Sequence, residues 1–170
     1  MPDADRPKIK LKLNPADWLT EIVAVVFLVI LVGLPVFYFG ELPEKVPVHF
    51  NAAGQIDDYG SKASLIVLPL TGLFMYGLLT VISLFPHIFN YPVKITPENA
   101  RVQYSLATRM LRILKTVILV MFTFISYQTI RAAAGKTGGL GKVFLPVFLI
   151  ITFGVVIVYL TQSLNNRSNS

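Results

Sequence analysis

Cysteine is absent from all 170 residues, which excludes disulfides, thiolate metal sites and lipoprotein anchoring but does not assign a compartment. Charge is scarce, at 14% of residues, where a soluble domain carries about 25%. Apolar residues reach 54% and fall in clusters. Four such runs in a soluble protein would leave almost no amphipathic surface, so the membrane class fits instead. The net charge of +6 raises nucleic acid as a partner. The basic residues flank apolar runs, however, as orientation signals do, and no nucleic-acid partner is expected. The chain also lacks HExxH, a Ser-His-Asp signature and a glycine-rich phosphate loop, so neither an enzyme nor a cofactor is expected. Residues 1–18 are polar and long, and no small-x-small cleavage pattern follows the first apolar run. That run is therefore read as a retained span.

The reading is an all-α membrane protein with four transmembrane helices and a structured outer loop between the first two. A span needs about 20 apolar residues. The division is a tail 1–17, a span 18–39, an outer loop 40–62 and a span 63–86. An inner loop with a helical extension 87–110 follows, then a span 111–130, a short outer loop 131–142, a span 143–162 and a tail 163–170. The first tail carries Arg6, Lys8, Lys10 and Lys12, and the inner loop carries Lys94, Arg101 and Arg109. The outer loop carries only Lys45 and Lys62, while Arg131, Lys136 and Lys142 in 131–142 blur the contrast. The larger basic count places both termini in the cytoplasm of a plasma-membrane protein. Pro35, Pro69 and Pro146 lie in or near spans, where neighbouring helices tolerate a kink.

In the inner loop, Thr96 suits a helix cap, Pro97 a first turn and Glu98 the positive helix end. A helix from Pro97 through the third span would extend about 50 Å, beyond the roughly 30 Å hydrocarbon core. Arg109, Arg112 and Lys115, spaced by three, form a stripe at the headgroup level. It serves either anionic lipid or a cytoplasmic regulator. No ionisable residue is expected near mid-membrane, which argues against a proton-coupled transporter. Ser126, Tyr127 and Gln128 suit hydrogen bonds to a neighbouring helix, and His87 suits an interfacial polar tip.

The outer loop is the most specific segment. Pro43 and Pro47 fix φ and favour extended predecessors. Val46, Val48 and Phe50 alternate with Pro47 and His49, so a short strand is expected there. Asn51 to Gly54 reads as a turn with Gly54 at positive φ, Asp57 to Gly60 as a second turn, and Ser61 as a cap for the following helix. Two readings stay open. The loop is a rigid cap whose polar groups bond its own backbone, or His49, Asn51, Asp57 and Asp58 form a site. His with carboxylates suits a divalent metal or a pH-sensitive pair, but one histidine and two adjacent aspartates are too few ligands to assign a metal.

The residues Leu42-Pro43, Val46-Pro47-Val48-His49-Phe50-Asn51, Gly54, Asp57 and Gly60-Ser61-Lys62 resemble the N-terminal module of a bacterial membrane family. That module is a domain of unknown function also found in SdpI-like proteins. Tyr91-Pro92, Thr96 to Asn99 and Tyr104 are similar to the family's following loop. The resemblance covers about the first half of the chain. It implies immunity against a secreted killing peptide, with a signal passed to a transcriptional repressor. The better-known immunity proteins are longer and have extra spans. The leading expectation is a non-enzymatic membrane protein that binds a peptide or protein at Pro43, Pro47, His49, Phe50, Asn51, Gly54, Asp57, Gly60, Ser61 and Lys62. The alternatives are a small oligomeric transporter or channel subunit, and a membrane enzyme using His49 and Asp57.

Overall fold

The computed structural model describes residues 6–167. The portions of the two tails at 1–5 and 168–170 lie outside the described residues. Four helices, α1 (Pro15–Tyr38), α2 (Val67–Ile82), α3 (Ala100–Ala133) and α4 (Phe144–Asn165), are joined by loops and one antiparallel hairpin, β1 (Lys45–Phe50) and β2 (Ile56–Ser61). With their flanking 3₁₀ turns, all four helices are long and apolar enough to cross a membrane. This is the architecture of a multi-pass membrane protein. Outward faces such as Val29, Phe74 and Ile150 are largely exposed, as lipid-facing side chains are.

Local chemistry explains the helix ends. Asn14 begins α1 with a capping box. Its Oδ1 accepts from the Asp17 amide at 2.8 Å, and Asp17 Oδ2 accepts from the Asn14 amide at 3.0 Å. Pro69 and Pro146 fall in the first turns of α2 and α4, where a missing N–H costs nothing, so only Pro35 lies in a helix interior. α3 starts at Ala100, three residues after the expected Pro97. Asn99 rather than Thr96 is its N-cap, and the two close the preceding turn: the Asn99 amide donates to Thr96 Oγ1 at 3.4 Å, and Asn99 Oδ1 accepts from the Thr96 amide at 2.9 Å. At 34 residues, α3 runs about 50 Å unbroken.

α3 is the hub, packing on α1, α2 and α4. Ala24 and Leu31 of α1 meet Leu119 of α3 in a fully buried cluster supported by Phe27, Leu28, Leu68, Tyr76 and Phe122. Gly72 of α2 opens the space that Leu31 and Leu119 fill. Thr123 Oγ1 donates to Phe27 O at 3.1 Å, tying α3 to α1. Gln103 and Ser163 exchange buried hydrogen bonds that tie α3 to α4. Polar contacts between membrane helices of this kind add to close packing. On the N-terminal side, Ile9 and Leu11 pack on Val93, Ile95, Ala100 and Tyr104. Arg6 Nη1 donates to Phe89 O at 2.6 Å and lies over the Tyr91 ring. Burial pushes the Tyr91 phenol up, so it stays protonated and donates to Pro86 O at 2.8 Å.

The sequence reading is corrected at Asp57 to Gly60. These residues form most of β2 rather than a turn, and pair with β1. Gly72→Ala should cost about 1 kcal/mol, because its Cβ would fall 2.5 Å from the buried Leu31 Cδ2 and force that side chain to shift. Gly72→Ile should overpack the same junction and cost about 1–3 kcal/mol, read as a lower melting temperature in detergent.

Candidate functional site: the hairpin and its clamp

The hairpin has an inner and an outer face. Val46 is fully buried against Leu42, Leu65 and Ile130, with Leu34, Tyr38 and Ala133 around them. Pro47 is buried beside it, and Phe50 is half-buried. The outer face presents Val48, His49, Asp57, Asp58 and Tyr59, with Tyr59 57% exposed. Irregularities in the pairing at Pro47/His49 and His49/Phe50 re-aim these side chains. His49 Nδ1 and Asp57 Oδ1 come within 2.6 Å. Asp58, paired in register with His49, turns away and accepts from the Tyr59 amide at 2.8 Å. Among the described residues, no group of three or more His, Cys, Asp or Glu lies together as a metal site.

The remaining motif residues shape the hairpin. Asn51 Oδ1 accepts from the Ala53 and Gln55 amides, and the Gly54 amide donates to Asn51 O. Asn51 therefore builds the turn. Ser61 Oγ accepts from the Ala63 amide and starts the 3₁₀ turn Lys62–Ile66 that leads into α2. The Lys62 ammonium lies 2.9 Å from Glu44 and 5.0 Å from the Phe39 ring centroid. A Cβ at Gly60 would press on Val48. Pro43 is exposed between Leu42 and β1.

The tip of the hairpin is clamped to the loop between α3 and α4. Gly54 O accepts from the Leu140 amide at 2.7 Å, and Gln55 pairs with Gly139 in an isolated bridge. Gly54 has φ +72° and Gly139 φ +141°. A Cβ at Gly54 would overlap the Gly141 backbone, and one at Gly139 would overlap Gly54 O. Both positions therefore require glycine for conformation and for space. Gln128 Nε2 donates to Gly139 O at 2.9 Å and fixes the loop to α3. The sequence reading treated 131–142 only as a charged connector. The glycines at 138, 139 and 141 were the available signal.

The basic stripe differs from its expected lipid- or partner-facing role. Lys115 and Arg112 turn inward, with side chains 2% and 11% exposed, while Arg109 remains 44% exposed. Lys115 Nζ donates to both Glu21 oxygens at 2.9 and 2.7 Å and to Thr80 Oγ1 at 3.0 Å, and it lies 4.5 Å from the Tyr76 ring centroid. Arg112 lies 3.4 Å from Glu21 and 3.8 Å from Asp17. Arg109 Nε donates to Asp17 Oδ1 at 3.1 Å. Carboxylates on α1 pull the stripe inward because an ion pair is better shielded from lipid than a lone charge. Asp17 and Glu21 were missed, although their i, i+4 spacing places them on one face of α1. The pair lies within the first two turns of α1, near one membrane boundary.

The fold and its hairpin thus define a multi-pass membrane protein with a glycine-clamped extramembrane hairpin. Within that class, residues 26–73 match a family described as a domain of unknown function, DUF1648. The match runs from α1 through the hairpin into α2. The chain is also similar to an uncharacterized protein of Archaeoglobus fulgidus, 32% identical over 66 residues, covering 34% of this chain and 36% of that relative. The chain therefore spans well under half the length of this archaeal relative. No solved structure matches the chain.

Gly54→Ala should cost about 2–3 kcal/mol through strain and lost docking, while Gly77→Ala, which meets open space, should not. Thermal melting with limited proteolysis at Lys62 measures both. Lys115→Met removes the ammonium that donates to both Glu21 oxygens and leaves that carboxylate under-bonded in a shielded site, and should cost about 3 kcal/mol. The double variant Lys115→Met with Glu21→Met should recover much of the loss in the same melting assay.

Proposed function

We propose that this is a non-enzymatic membrane protein that receives a peptide or protein ligand on the outer face of its hairpin. The carrying observation is the clamp. A short two-stranded hairpin is marginal in water, yet this one is held at its base by Val46 and at its tip by Gly54. It presents an exposed tyrosine beside Val48 and the His49–Asp57 pair. A rigid aromatic surface with polar neighbours loses little entropy on binding, and such surfaces are enriched at recognition sites.

The SdpI-like resemblance of the motif extends this reading to immunity against a secreted killing peptide, with a signal passed to a cytoplasmic regulator. We place the protein in a plasma membrane with both termini cytoplasmic and with the hairpin and the 138–141 loop outside. The basic residues of the N-terminal tail and the inner loop support that orientation. A small transporter or channel subunit is the second reading. The Lys115–Glu21 pair among α1, α2 and α3 favours it, since ionisable groups within spans often mark transport paths.

Survival of a bacterial host exposed to culture supernatant from the source organism tests the first reading. Cells producing the wild-type chain should survive better than vector controls. Tyr59→Ala and His49→Ala should lose about tenfold of that protection at unchanged protein abundance, as expected for loss of a central aromatic or polar contact. Equal survival of wild-type and vector cells, or variants as protective as wild type, would contradict it.

A further inference from the structure

Between α1, α2 and the segment preceding α1 lies a cavity of about 800 Å³. It is within the size range of specific small-ligand sites, about 300–1,000 Å³. Its walls are apolar: Ile22, Val25 and Val26 of α1 face Leu84 beyond α2. These same residues are exposed on the lipid-facing surface, so the cavity opens sideways into the bilayer. Its polar lining includes Lys10, Glu21, Ser83 and Arg112, with Trp18 also in the wall.

Arg112 sets the chemistry of that polar lining. It is held among carboxylates at 3.4 and 3.8 Å, but its side chain makes no hydrogen bond among the described residues. A guanidinium carries five donors in a planar fork suited to phosphate. The ion cluster also holds three basic groups against two carboxylates, so one positive charge is unmatched before exposed Lys10 is counted. A neutral or cationic amphiphile would leave the donors of Arg112 unused. A free anion would leave the apolar walls empty.

We infer that this cavity binds one anionic phospholipid from the leaflet on the side of the N-terminal segment. Its phosphate sits between Arg112 and Lys10, and an acyl chain lies along Ile22, Val25 and Val26. The site is separate from the outer hairpin and does not depend on the role proposed there. It ties the segment preceding α1 to the α1–α2 groove through a shared ligand.

The test is native mass spectrometry of the full chain released from bilayers of equal phosphatidylglycerol and phosphatidylcholine, with thermal melting of each protein. Wild type should retain one phosphatidylglycerol with at least about tenfold preference, as two basic groups near the surface supply. Lys10→Gln, which removes an exposed group that makes no ion pair among the described residues, should weaken retention about fivefold without lowering the melting temperature of the lipid-free protein. Val26→Trp should block retention by filling the groove, and Arg112→Gln should abolish the preference. Equal retention of the two lipids would overturn the proposal. So would several loosely held lipids indifferent to Lys10→Gln and Val26→Trp, or displacement of the lipid by millimolar inorganic phosphate alone.

Discussion

The backbone contact between Gly54 and the Gly139–Gly141 segment is the constraint on which the extramembrane half of the molecule depends. It joins two loops distant in sequence through a 2.7 Å hydrogen bond and a surface too close for any side chain. Without it, β1 and β2 would be held at the base alone, where Val46 packs on Leu42, Leu65 and Ile130. With it, the outer face is fixed over the ends of α1, α2 and α3. An immobile surface recognises a partner at lower entropic cost than a mobile loop.

On the opposite side, α1 and α3 are joined differently. Asp17 and Glu21 collect Arg109, Arg112 and Lys115 into one cluster, with Thr80 and Tyr76 of α2 completing it. Between the two sides lies the apolar contact of Leu31, Leu119 and Gly72. α3 takes part in all three junctions, since Ile130 packs beneath the hairpin and Gln128 holds the clamp loop. One unbroken helix of 34 residues thus connects the hairpin to the ionic cluster.

Much of this was readable from residue order. The first, second and fourth spans follow from uncharged apolar runs and the third from an apolar run with Arg112 and Lys115 at its edge, the strand at Val46 to Phe50 from alternation, and the Asn51 to Gly54 turn from its residue types. β2 was not readable. Asp57, Asp58 and Gly60 are poor strand formers, and they are extended because β1 and the clamp hold them so. The His49–Asp57 pairing depended on an irregular register that no spacing rule supplies. The inward turn of Lys115 and Arg112 was hidden because their partners lie on another helix, more than ninety residues earlier in the chain. The Gly54–Gly141 contact is likewise a tertiary event, visible beforehand only as glycines in two separate loops.

Amide hydrogen exchange of the full chain in lipid bilayers tests the fixed hairpin most directly. The Leu140 amide and the β1–β2 ladder amides should be protected nearly as well as the interior of α3, and should open together. Rapid exchange at Leu140 and the ladder, at rates of an unstructured loop while α3 stays protected, would contradict a clamped hairpin.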